Sequence, residues 1–126
     1  MTVYEAIEQA EIALSTTAQV DDGPDPRWQA LIALAAHIET APQQVWEFAR
    51  RWGGSEDEDL RDAVATLLLE HLLEYHFESL FSAIEVEVAR SATFADCFSR
   101  TWPLGKSESP GNRVRFELLK ERASAV

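Results

Sequence analysis

The sequence predicts an all-α fold in a single domain, residues 1–126, and three observations predict it. Apolar residues recur at three- and four-residue intervals along most of the chain. Helix-starting residues precede nearly every such run: Thr2, Asp25-Pro26, Thr40, Ser55, Thr93 and Asn112. No segment carries a convincing strand signal. Val86 and Val88 alternate with Glu85 and Glu87, but only inside a longer helical pattern. The length supports one real core, and the 4 Trp and 6 Phe argue against disorder.

About seven helices follow in order. Helix one, 2–17, opens on Thr2 and Glu5, a capping-box spacing, and puts Val3, Ile7, Ala10 and Leu14 on one face. Asp21-Asp22-Gly23-Pro24 ends it in a turn. Helix two, 26–39, starts where Asp25 can cap and Pro26 occupies a position whose missing N–H costs nothing. It carries Trp28, Leu31, Ile32, Ala35 and Ile38. Helix three, 42–52, follows a Thr40/Gln43 capping pair and shows Val45, Trp46, Ala49 and Trp52 before Gly53-Gly54 stops it. Helix four, 57–75, follows a Ser55/Glu58 pair. Its stripe of Leu60, Ala63, Val64, Leu67, Leu68, His71, Leu72 and Tyr75, widened by Leu69 and Leu73, suggests burial on more than one side. Helix five, 77–90, carries Phe77, Leu80, Phe81, Ile84 and Val88; helix six, 93–101, carries Phe94, Cys97 and Phe98. Helix seven, 112–123, faces inward with Phe116 and Leu119, with Leu118 beside them. The stretch from Trp102 to Gly111 is long for a helix–helix connection, and such loops are often functional or mobile.

Charge is unevenly spread. The formal net charge is −11, with 12 acids and 3 bases in residues 1–60 against 10 acids and 8 bases in residues 61–126. Six bases (Arg100, Lys106, Arg113, Arg115, Lys120 and Arg122) lie in the last stretch of the chain, from Arg100 to Arg122. An acidic body repels nucleic-acid phosphate and attracts basic proteins, so nucleic acid is not the expected partner. Cys97 is the only cysteine, which excludes an intramolecular disulfide. Met1-Thr2-Val3-Tyr4-Glu5 lacks the basic n-region of a signal peptide, and no run reaches the length of a membrane span. A cytoplasmic setting with no membrane contact is the expectation.

The segment from Val45 to Val88 holds the most specific pattern: an apolar helix, the Gly53-Gly54 break, the acidic turn Ser55-Glu56-Asp57-Glu58-Asp59, then Leu60-Arg61-Asp62-Ala63-Val64-Ala65 opening a long helix. This pattern resembles one unit of a HEAT repeat. Asp25-Pro26-Arg27-Trp28 echoes the same motif faintly. The resemblance implies a right-handed stack of antiparallel helical hairpins, three at most, and a binding surface rather than an active site. The alternative is another all-α bundle.

Chemistry-bearing constellations are sparse. Glu70, His71, Glu74, His76 and Glu78 cluster at the end of helix four, and a metal- or ligand-binding enzyme would use His71, Glu74 and His76. The spacing matches neither Glu-x-x-His pairs nor His-Glu-x-x-His, so the plainer expectation is solvent-facing Glu70 and Glu74 beside a packed His71. Cys97 sits between Phe94 and Phe98 and reads as a small hydrophobe. There is no nucleophile elbow and no phosphate loop, and no cofactor or metal is expected. The expected function is a non-enzymatic adaptor binding another protein, a basic one. The candidate surfaces are an acidic rim of turns (Asp21, Asp22, Glu56, Asp57, Asp59) and the loop Trp102, Lys106, Arg113. A sharper form is an immunity protein that inhibits a basic toxin by presenting phosphate-like carboxylates.

Overall fold

The computed structural model describes residues 1–15 and 25–125, all helix and connection with no strand among them. The helices are α1 (Val3–Leu14), α2 (Pro26–Ala35), α3 (Pro42–Trp52), α4 (Glu58–Val64), α5 (Glu70–Arg90), α6 (Ala92–Ser99) and α7 (Pro110–Ser124). A π-helical turn, Ala65–Leu69, joins α4 to α5 without a break, so α4, the turn and α5 form one rod. Counted that way the described residues hold six helices rather than about seven. The two helices expected on either side of residue 76 are merged, and their join survives as a kink at His76 (φ −132°, ψ 37°). The kink carries the imidazole Nε2 to 2.9 Å from the Ile38 carbonyl, to which it donates at the end of the α2 segment.

Local chemistry explains the starts. Thr2 and Glu5 form the expected capping box, each side chain accepting from the other's backbone N–H at 3.1 and 3.2 Å. Asp25 caps α2 by accepting from Arg27 N at 2.9 Å. Four expected caps differ. Asp57, not Ser55, caps α4, because its carboxylate reaches the N–H groups of Asp59 and Leu60. Ser91, two residues before Thr93, caps α6, which frees Thr93 to donate to the Gly54 carbonyl. Pro42 and Pro110 start α3 and α7 with no side-chain cap, so Thr40 has no capping role, and Asn112 instead donates to the Lys106 carbonyl.

One contiguous core joins all seven segments. Trp46 meets Phe94 edge-on at 5.9 Å, Phe77 stacks on Phe81 at 4.4 Å, and Phe98 tilts against Phe116 at 5.2 Å. Each fully buried Phe removes enough apolar surface to contribute roughly 1.5–3 kcal/mol; the contacts between helices tie α3 to α6 and α6 to α7, and α3, α6 and α7 each pack on α5 as well. α1 packs on α2, and α2 packs in turn on α4 and the π turn.

The π turn overturns part of the expected stripe. One extra residue in the turn rotates everything after it. Leu68, Leu69, Leu72 and Leu73 become buried, while His71 is half-exposed, Tyr75 is exposed and Leu67 is only half-buried. Glu70, expected in solvent, is buried for the same reason. Leu118, expected against the core, is also exposed.

Candidate functional site

The acidic rim is built where the N-termini of α2 and α4 lie side by side. Asp21 and Asp22 lie outside the described residues. Glu56 is exposed, and its backbone carbonyl accepts from Arg61 Nη1. Asp57 is committed to capping α4 and also lies 3.7 Å from Arg27 Nη1. Asp59 is exposed, and its carboxylate has no hydrogen bond or ion pair among the described residues.

Sequence reasoning overlooked how far arginines thread this rim. Arg27 grips Asp25 through Nε and Nη2, reaches Asp57, and covers the Trp28 ring at 4.6 Å. Hydrogen bonds from the Arg27 side chain, and then from its backbone N–H, hold the Asp25 carboxyl below the usual carboxylate range. Arg61 ties α4 to α6 through Asp96 at 2.8 Å while donating to the carbonyls of Ser55 and Glu56. Arg100 spans Glu58, Asp96 and, at 3.7 Å, Asp62. Hydrogen bonding from Arg61, and then from Arg100, holds the Asp96 carboxyl low against the opposing effect of burial. The sequence carries a local signal for two of these clasps, Asp25 two residues before Arg27 and Asp96 four residues before Arg100, but none for Arg61, whose partner Asp96 is 35 residues away.

Between α2 and α4 runs a groove of about 640 Å³, within the size range of ligand sites, roughly 300–1,000 Å³. Its apolar lining is Trp28 and Ile32 on one side and Ala63 and Leu67 on the other; Asp25, Asp59 and Asp62 supply carboxylates. Ile32 is 50% exposed, a large apolar side chain left uncovered in the floor. Thr66 and Leu67 belong to the π turn, so the widened turn forms part of this wall. The Thr66 hydroxyl bonds back to the Asp62 carbonyl at 3.0 Å. A second depression, about 520 Å³, is lined by α7 with Ala125 beyond it and has no opposing wall.

The second expected surface is not assembled as predicted. Trp102 is 66% exposed, but its cationic partner is Lys120, whose ammonium stands 4.1 Å from the ring centroid and donates to the Thr101 carbonyl at 2.6 Å. Among the described residues the cation over the ring is Lys120 rather than Lys106, and Arg113 pairs with Glu117 at 3.1 Å on α7. Beneath Trp102, the backbone N–H donates to the buried Glu70 carboxylate at 3.2 Å, and burial pushes the Glu70 carboxyl up.

The three residues of the enzyme alternative do not converge. His71 Nδ1 meets Glu74 Oε1 at 2.8 Å, whereas His76 is spent on Ile38. No group of three or more His, Cys, Asp or Glu side chains able to hold a metal occurs among the described residues. Cys97 is buried with its thiol pushed up to about 12, chiefly by burial, and it donates to the Arg61 carbonyl. No described helix is long and apolar enough to cross a membrane. Protein-family models, curated proteins and solved structures give no match to this chain, so the groove is judged on its own geometry.

Proposed function

We propose that the protein is a non-enzymatic binding module, built on stacked helical hairpins, that holds a basic protein partner in the groove between α2 and α4. The observation that carries this reading is the combination in one place of an apolar lining (Trp28, Ile32, Leu67) in which Ile32 is left exposed, and carboxylates on its edge, one of them, Asp59, without a partner among the described residues. Burial of Trp and Ile supplies affinity, and rim carboxylates steer and orient a basic partner. Such a module suits the cytoplasm, since its one thiol is buried and no disulfide braces it. In the sharper form the partner is a basic toxin and the carboxylates stand where that toxin takes phosphate.

Immobilised protein tests this against lysate at low and high salt. Wild type is expected to retain a basic protein at low salt and release it at high salt. An Asp59→Lys/Asp62→Lys variant should lose it, while Glu78→Lys, outside the groove, should keep it. Retention indifferent to the groove substitutions, or none at either salt, would overturn the proposal. Nuclease or other toxin activity in the retained protein, suppressed by this chain, would select the inhibitor form.

A further inference from the structure

We infer that the occupant of the groove is a single basic amphipathic helix, an inference that rests on the protein-binding reading above and names its partner. Shape argues first. Trp28 and Ile32 lie one turn apart on α2, and Ala63 and Leu67 one turn apart along the rod, so two apolar ridges border one furrow. A third helix fills such a furrow with its own ridge of residues spaced three and four apart. Ala63, the smallest of the four, leaves room for close approach. An extended peptide has no sheet edge to join, because no strand occurs among the described residues.

Polarity argues second. The Thr66 hydroxyl is already bonded to Asp62, and Arg27 is committed to Asp25 and Asp57. What the lining leaves for a ligand's polar groups is carboxylate: Asp59, with no hydrogen bond or ion pair among the described residues, and Asp62, whose ion-pair neighbour Arg100 stands off at 3.7 Å. Both lie on the α4 side. A partner helix therefore carries apolar anchors toward Trp28, Ile32 and Leu67, with lysine or arginine along the flank facing α4. Cation and anion meet there in charge-assisted hydrogen bonds, stronger than those between neutral groups.

Fluorescence anisotropy with dye-labelled peptides of about 18 residues, long enough to hold a helix, tests this. The probe has leucine at helical spacing and lysine elsewhere. One control scrambles the same composition, and another replaces lysine with glutamate. The patterned lysine peptide should bind at least about tenfold more tightly than the scrambled one, and the glutamate peptide should not bind. Asp59→Lys/Asp62→Lys should weaken the patterned peptide by about tenfold, the effect of two reversed rim charges. Ile32→Asp should also weaken it, and Trp102→Ala should leave it unchanged, with circular dichroism confirming the fold of each variant. Equal binding of the scrambled peptide, or indifference to the groove substitutions, would overturn the inference. If the peptides fail while lysate capture still depends on Asp59 and Asp62, the groove binds protein and the helical partner is wrong. If both fail, the binding reading falls as well.

Discussion

Gly105→Ala is expected to destabilise the protein by about 2–5 kcal/mol, and two separate causes contribute. Gly105 has φ +52°, a left-handed conformation that costs a residue with a Cβ roughly 1–2 kcal/mol. An added Cβ would also lie 2.6 Å from Glu74 Cγ and 2.8 Å from the Glu74 carbonyl oxygen. The side-chain carbon can swing aside, but the carbonyl belongs to the backbone of α5 and cannot, and forced overpacking of this kind costs about 1–3 kcal/mol. The same substitution at Gly111 should act in the opposite direction. Gly111 lies in the first turn of α7 with nothing within 4 Å of an added Cβ, so alanine there gains up to about 1 kcal/mol from reduced chain entropy and better helix propensity. Urea unfolding followed by tryptophan fluorescence and circular dichroism measures both, with an unchanged slope showing that the transition is the same one. A Gly105→Ala protein within about 0.5 kcal/mol of wild type would refute the argument, because the 102–111 connection would then not be pressed against α5.

Asp96→Asn should destabilise by about 1–2 kcal/mol, because it loosens Arg61 and Arg100 together. Its pH dependence follows from a folded carboxyl held below 3.8: the wild-type contribution is present above that pH and is lost as pH falls through the folded value, a slope that unfolding curves of the variant should lack. Glu70 has the opposite sign. Its carboxyl is raised above 4.5, so wild type loses stability as pH rises from there through the folded value. Glu70→Gln, which keeps an acceptor for the Trp102 N–H, should be relatively more stable at neutral pH than at pH 4. Cys97 should resist thiol reagents in the native protein and react only as fast as the chain opens, and prompt native labelling would contradict its burial.

The fold class was legible because it depends on repeated local signals. The Thr2/Glu5 box, the Asp25-Pro26 start and the Gly53-Gly54 stop stand where the spacing puts them, each decided within a few residues. What escaped reading depends on one residue of register. The periodicity of helix four was read as uniformly 3.6, and that placed His71 and Tyr75 inside and Glu70 outside. The π turn at Ala65–Leu69 has no punctuation of its own, being a plain Ala-Thr-Leu-Leu-Leu. The site was half legible for a similar reason. The acidic turn announced Asp57 and Asp59, but the apolar floor comes from α2, far away in sequence, and only packing brings Trp28 and Ile32 beneath them. The Arg27 clasp was open to inference as an Asp-x-Arg spacing, whereas Arg61 with Asp96, Trp102 with Lys120 and His76 with Ile38 join residues 35, 18 and 38 apart, beyond any local pattern.

The π turn also sets what kind of change can alter this wall. A substitution alters a side chain in place, but the turn itself exists only because the chain carries one residue more than an ordinary helix needs. Deleting one residue within 65–69 would restore that helix and shorten the rod by one residue's rise, about 1.5 Å, while the residues on either side keep their faces toward the core. Only the turn would be rebuilt, and with it Thr66 and Leu67 on the groove side. The shape of the wall is thus all-or-none, changed by insertion or deletion, while the identities of Ile32, Ala63 and Leu67 can drift within a fixed frame.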